Sequence, residues 1–338
     1  MPELLFAGLL LAVFMNLVLL TACVIDDRYG EPAAALHPVV WMGHYLQWCG
    51  GWFLSGVLLA PIPAFIAGMV FWLVGAVGVG LLGWGIQVAA LGQIARFYAA
   101  PSAGGAGAAI ATTVLFGWAL KCMLSWRMLR DEVAAVEQAL QQSVAAGRDR
   151  LGWLVSRDTT ILSESEVRES AIESLAENLN DSVVAPIFWF VLFGLPGAAV
   201  YRFANTADAM WGYRGVRNGV HWEWAGKWAA WADDVLSWLP ARLTALLLAL
   251  VAPGVRLATL RLEARKTPSP NSGWPMAAMA LALGVCLHKP GVYALNSSGV
   301  PPQTASTSEA LKYASKAVKA AVLCASLAIT LIAFIGIY

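Results

Sequence analysis

The chain has 338 residues, 59% of them hydrophobic and only 13% charged, about half the charged share of a soluble domain. Its 22 Lys and Arg nearly balance its 21 Asp and Glu, so no basic excess argues for nucleic acid. An ordinary soluble protein is excluded, and the composition indicates an all-α, polytopic integral membrane protein in contact with the lipid bilayer.

Leu4 to Ile25 is apolar, uncharged and long enough to cross a bilayer, and no small-residue cleavage site follows, which predicts a retained membrane helix. Asp26 and Asp27 mark its exit. In the polar loop that follows, Gly30, Pro32 and Pro38 interrupt helix. His37 and His44 stand seven apart with no third ligand type nearby, so they read as hydrogen-bonded structural histidines rather than a metal pair. No charge occurs from Pro32 to Ala95, and one long helix is expected around Ala64 to Val88. Pro101 to Gly107, PSAGGAG, is expected to be a turn. Ala108 to Leu120 begins another span that leaves the membrane through Lys121, Arg127 and Arg130. Two crossings put both polar ends on one side, and the Arg-rich exit marks that side as cytoplasmic.

Asp131 to Ala146 has helical periodicity, with Val133, Val136 and Leu140 on one face and Gly147 as its end. It predicts a polar arm outside the bilayer. Ser163 and Glu166 have capping-box spacing, so a helix should begin there. Glu166, Glu169, Glu173, Glu177 and Asp181 then recur every three or four residues, a face of like charges that repel and call for a cation. Val167, Ala171, Ile172, Leu175 and Leu179 form the opposite, apolar side. The bland interpretation is a solvated acidic face, but this one runs directly into uncharged sequence.

Pro186, Gly194, Pro196 and Gly197 make an unbroken spanning helix from Ser182 to Tyr201 doubtful, and a re-entrant segment is equally consistent. Two polar clusters follow, with Asn205 one turn from Asp208 and with Asp233 beside Asp234. After the apolar Leu243 to Val255 come Arg256, Arg261, Arg265 and Lys266, then a turn-rich loop, TPSPNSGWP, that presents Asn271. Ala320 to Tyr338 is a last membrane helix. The expected division is residues 1–126 as N-terminal membrane helices with a polar loop, 127–181 as a cytoplasmic-side helical hairpin with the acidic helix, and 182–338 as C-terminal membrane-associated helices. Four to six spans result. No strand is expected, and no P-loop, GxSxG or HExxH motif is present.

Six blocks together resemble the membrane-bound CbiB/CobD cobalamin biosynthesis proteins, the adenosylcobinamide-phosphate synthases. They are DRYGEPAAALHPVVWMG (27–43), RDT (157–159), ESLAENLNDSVVAP (173–186), YRFANTADAMWGYR (201–214), ADDVLSWLPARLT (232–244) and SPNSGWPMAAMALALGV (269–285). The resemblance implies an amide-forming ligase of the bacterial inner membrane, with its active face cytoplasmic. Such an enzyme joins adenosylcobyric acid, a corrinoid, to aminopropanol or its phosphate, using ATP and Mg²⁺, beside other cobalamin-assembly membrane enzymes. A carboxylate is a poor electrophile, so activation through an acyl phosphate is the expected route.

On this resemblance the expected catalytic carboxylates are Glu173, Glu177, Asp181, Asp208, Asp233 and Asp234, with Glu177, Asp181 and Asp234 as metal ligands. Arg157, Asp158, Asn178, Asn205, Arg214, Arg242, Asn271 and His37 are the expected substrate-binding residues, the arginines as forked clamps for phosphate or carboxylate. One departure stands out. Where the family has a glycine-rich LGGP segment, this chain has LHKPG at Leu287 to Gly291. Two rival interpretations are a catalytically silent scaffold or regulator of corrinoid assembly, suggested by that altered loop, and a transporter, which would need ionisable groups within its spans.

Overall fold

The computed structural model of the chain describes residues 2–54, 60–217 and 220–335. Its helices are α1 (Pro2–Tyr29), α2 (Pro38–Leu54), α3 (Pro61–Ala99), α4 (Ala103–Lys121), α5 (Trp126–Leu140), α6 (Val144–Leu151), α7 (Glu164–Leu179), α8 (Ala185–Trp211), α9 (Trp222–Ala225), α10 (Lys227–Val251), α11 (Leu257–Ala264), α12 (Gly273–Leu283) and α13 (Thr304–Ile335). Six helical stretches among the described residues are long and apolar enough to cross a membrane: Gly8–Tyr29, Pro61–Ala99, Ala103–Lys121, Glu164–Trp211, Lys227–Val251 and Thr304–Ile335. The fold is that of an all-α polytopic membrane protein. The expectation of no strand is corrected by two short antiparallel hairpins, β1 (Val216–Arg217) with β2 (Val220–His221), and β3 (Leu287–Lys289) with β4 (Tyr293–Leu295). The last helix, expected from Ala320 to Tyr338, begins earlier, at Thr304, and runs to Ile335; 336–338 lie outside the described residues.

The chain divides into two compact units, each discontinuous in sequence. One comprises Met1–Ser125, Pro186–Leu236 and Val322–Tyr338, the other Trp126–Ala185 and Ser237–Ala321.

In the first unit α3 has 39 residues, about 58 Å of helix against roughly 30 Å of hydrocarbon. It outruns the expected Ala64 to Val88 at both ends. Ile62, Val74, Leu81, Leu82 and Trp84 point outward along it. In water such a surface would be unfavourable by roughly 25 cal/mol per Å² of apolar area, a cost that vanishes among acyl chains. The turn expected at Pro101 to Gly107 is shorter than anticipated, because Ser102 accepts a hydrogen bond from the Gly105 amide and starts α4 at Ala103. Capping overrides the glycine content here.

Helices α1 and α4 run in the same direction. Phe14 stacks on Phe116 with ring centroids 5.7 Å apart, Gly117 lies against Thr21 and Val18, and Asp26 reaches Lys121. Parallel α1 and α4, in direct contact and separated in sequence by α3, are what two crossings between the polar segments require. Lys121, however, is not the exposed exit charge the sequence suggests. It is fully buried, 2.7 Å from Glu31 and 3.5 Å from Asp26.

Gly194 breaks α8 with φ 68° and ψ −153°, a region open essentially to glycine alone. The segment is therefore helical but kinked, and Pro196 continues the second half. The Gln87 side chain on α3 accepts the freed Leu195 amide at 2.9 Å, so the break leaves no orphan donor in an apolar setting.

In the second unit the polar arm is two helices, not one. Ser143 caps α6 by accepting from the Ala146 amide, and Gly147 lies inside α6 instead of ending the run. The capping box of Ser163 and Glu166 starts α7 as expected. Helix α7 packs against α5, α6, α12 and β3, burying Val167, Ala171, Ile172, Leu175 and Leu179, and also Glu169 and Glu173. Its acidic face is therefore not a solvated one. It continues through a π-helical turn, Asn180–Val184, into α8.

Candidate functional site

The second unit holds a polar cavity of about 210 Å³, beside the middle of α7. Helical spacing places Ser170, Glu173, Ser174, Glu177 and Asn178 along one side; Arg157 and its neighbours come from the preceding loop, and Lys289 and Tyr293 from the β3–β4 hairpin. Arg157 Nη2 donates to Glu173 Oε2 at 3.0 Å and also to the Ser170 hydroxyl, which itself donates to the Glu166 carbonyl at 2.6 Å. The Tyr293 hydroxyl donates to Glu173 Oε1 at 2.9 Å. Both oxygens of this buried carboxylate are thus held, one by a cation and one by a phenol. Burial, and next the charge of Glu173, push the Tyr293 phenol above its ordinary value, so it stays a donor.

The hairpin also closes over Glu169. The His288 amide donates to Glu169 Oε2 at 3.0 Å, and the His288 ring nitrogen Nδ1 contacts the same oxygen. The β3–β4 hairpin, whose first strand lies in the segment that departs from the family pattern, accordingly supplies partners to two carboxylates of α7, His288 to Glu169 and Tyr293 to Glu173. The cation those carboxylates called for is Arg157 for Glu173, while Glu166 is used in the capping box.

Four expected residues, Arg157, Glu173, Glu177 and Asn178, share this cavity. Asp158 does not join it. It is exposed and accepts from the amide and hydroxyl of Thr160, which hold its carboxyl below the ordinary range. Asp181, on the π-helical turn, accepts from Asn180 Nδ2 at 2.7 Å. Asn180 Oδ1 in turn accepts from Thr244 on α10 at 3.1 Å. Arg242 and Asn271 pair with each other at 2.8 Å.

The remaining expected residues lie in the first unit. Asn205 Nδ2 is 3.4 Å from Asp233 Oδ1, Arg214 is the favourable charge acting on Asp234, and the Gly212 amide donates to the Asp208 carbonyl at 2.7 Å. His37 is engaged on both nitrogens. Its Nδ1 accepts from the Val39 amide at 3.2 Å, which leaves Nε2 to donate to Glu31 Oε2 at 2.8 Å. Burial alone would raise the Glu31 carboxyl, but His37 and Lys121 outweigh it and hold it low.

Among the described residues, no group of three or more His, Cys, Asp and Glu side chains is arranged to hold a metal ion. Mg²⁺ fits such a donor set only as an ion shared with substrate phosphate, since it keeps several waters and needs just one or two protein carboxylates. Tyr293, His288, Lys289 and Ser170 are not among the residues expected from sequence. Ser170 lies on α7 itself and is an unremarkable serine in sequence, while no motif marks the other three, because the hairpin brings His288 and Tyr293 to α7 across 119 and 120 positions of sequence.

Residues 19–323 match the family model described as CobD/Cbib protein. The chain is 38% identical over 290 residues to the probable cobalamin biosynthesis protein CobD of Methanothermobacter thermautotrophicus, covering 82% of this chain and 86% of the relative. It is 35% identical to the cobalamin biosynthesis protein CobD of Dehalococcoides mccartyi over 86% and 91% of the two chains. With that of Brucella suis it is again 35% identical, over 82% and 84%. No solved structure matches the chain significantly.

Proposed function

The chain belongs to the CobD/CbiB family, acts in cobalamin biosynthesis as a multi-pass membrane protein, and we propose that it is the amide-forming ligase of that pathway. In this proposal it condenses a corrin propionate carboxyl with aminopropanol or its phosphate at the cytoplasmic face of the inner membrane, at the expense of ATP.

The observation that carries the proposal is the α7 cavity, where Arg157 and Lys289 accompany Glu173, Glu177 and Asn178. Amide formation from a carboxylate needs cationic donors for the carboxylate and phosphate oxygens, and an acceptor for the proton of the attacking ammonium. Arg157, fixed by Glu173 and Ser170, is a preordered donor, and Lys289 adds a mobile positive charge. Glu177 serves as the base, its carboxylate taking a proton from the ammonium so that the amine attacks neutral. The Asn178 side-chain Nδ2 donates to the Ser174 backbone carbonyl at 3.0 Å, so that Oδ1 is the atom to orient an N–H of the substrate. Glu177 and Asp181, two of the expected ligands, would hold Mg²⁺ together with substrate phosphate, and the ion when bound would neutralise phosphate charge.

The test is mass spectrometry of purified protein incubated with adenosylcobyric acid, ATP, Mg²⁺ and each amine in turn. An ATP-dependent amide product is expected, abolished by Glu177→Gln. No product from folded protein with either amine would sink the proposal.

A further inference from the structure

The second unit carries another cavity, of about 650 Å³, lined by the indoles of Trp238 and Trp274 and by Arg242, Arg261 and Arg265. Arg242 is held in place. Its Nη1 donates to the Trp238 carbonyl at 2.7 Å and to Asn271 Oδ1 at 2.8 Å, its Nη2 donates to the Pro270 carbonyl at 3.0 Å, and the two indole rings lie 4.3 and 4.9 Å from its central carbon. A guanidinium has five N–H donors, so Nε and one proton of Nη2 remain without a protein acceptor among the described residues.

No carboxylate among the described residues pairs with any of these three arginines. The nearest acid on α11, Glu263, is taken by Lys266 at 2.7 Å and by the Asn296 amide at 2.7 Å. Three like charges around one cavity repel one another unless an anion lies among them. A carboxylate would supply one negative charge, whereas a phosphate ester carries nearly two and offers three acceptor oxygens to forked donors. The cavity is far larger than a phosphate group, and its indole walls suit an apolar or planar remainder.

We infer that the cavity bounded by Arg242, Arg261 and Arg265 binds the phosphate group of a larger molecule. Two sources share that chemistry, a soluble phosphate ester and the headgroup of an anionic phospholipid. The second fits because Trp and Arg favour the membrane interface and because Leu239, Leu257 and Leu262 are exposed nearby in sequence. Because Arg242 and Asn271 are among the residues expected to bind substrate, the soluble source rests on the ligase reading, and binding measured without turnover keeps failure of the one distinguishable from failure of the other.

The test uses the full chain purified in neutral detergent. Calorimetry with ATP and with inorganic pyrophosphate reads the soluble source, and native mass spectrometry after addition of phosphatidylglycerol reads the lipid source. Arg261→Gln/Arg265→Gln should weaken one of these at least ten-fold, while Arg256→Gln, outside the cavity, should leave it unchanged. Loss confined to ATP or pyrophosphate assigns a soluble ester; loss confined to phosphatidylglycerol assigns a headgroup. Unchanged binding of every probe in a double variant with wild-type elution and melting, or no binding by the parent protein, overturns the inference. Both arginines are exposed, and the single variants provide a second reading should the double variant misfold.

Discussion

Tyr293 donates its phenolic proton to Glu173 Oε1 at 2.9 Å across 120 positions of sequence, on the oxygen opposite the one that Arg157 holds. The hairpin and the acidic helix therefore share one carboxylate. Tyr293→Phe removes that donor and little else. Loss of a hydrogen bond to a charged group is worth about 2 kcal/mol, so the rate of amide formation should fall about 30-fold with the melting temperature shifted by only a few degrees. An unchanged rate, measured by product mass spectrometry, would show that Glu173 needs only Arg157.

Arg168 binds Glu137 with Nε 2.9 Å from Oε2 and Nη2 2.9 Å from Oε1, and Thr307 donates to the same carboxylate at 2.8 Å. Both charged residues are buried. Removing Arg168 leaves Glu137 buried and uncompensated, at about 3 kcal/mol, whereas removing Glu137 leaves Arg168 paired, among the described residues, only with the exposed Glu164, 2.7 Å away. Glu137→Met and Arg168→Met should each lower the melting temperature in detergent, and the double variant should lose much less than the sum of the two. Additive losses would mean the pair is not coupled.

The same carboxylate sets a pH dependence. Burial acts to raise Glu137, yet the hydrogen bonds and charge of Arg168 and the Thr307 hydroxyl prevail, and its native pKa lies below the ordinary value. A depressed acid contributes stability that is fully present above its unfolded pKa, about 4.3, and is lost as pH falls through the native pKa. The stability gap between the parent protein and Glu137→Gln should thus be constant at neutral pH and narrow below about pH 4. A gap that stays constant to the lowest pH at which the protein remains folded would refute the linkage.

Gly194 makes two separate demands on its position. Its φ of 68° is unsuited to a side chain, and a Cβ there would lie 2.0 Å from Gln87 Oε1. Gly194→Ala should cost about 2 to 4 kcal/mol, combining backbone strain with displacement of that amide. Gln87→Ala should cost less, about 1 to 3 kcal/mol, because it only orphans the Leu195 amide. Equal stability of Gly194→Ala and the parent protein, followed by thermal scanning fluorimetry, would contradict the kink.

Local features were legible in the residues themselves. The uncharged runs, the capping box at Ser163 and the breakers near Gly30 and Gly194 act within a few residues, so composition and spacing suffice to mark apolar segments and a helix start, whereas which of Pro186, Gly194, Pro196 and Gly197 breaks α8 was decided by the structure. The carboxylate repeat of α7 was legible too, but its environment was not. Whether Glu173 meets water or Arg157 and Tyr293 depends on loop and hairpin returns, and neither leaves a periodic trace. Lys121 shows the same limit more sharply. In sequence it is the first charge after an apolar run, indistinguishable from an interfacial anchor, and only the parallel packing of α1 on α4 brings Asp26 and Glu31 to it. Sequence determined which segments leave water, because transfer free energy is a property of the side chains present. Tertiary structure decided which charges neutralise one another, because Coulomb attraction depends on distances that only the packed chain sets.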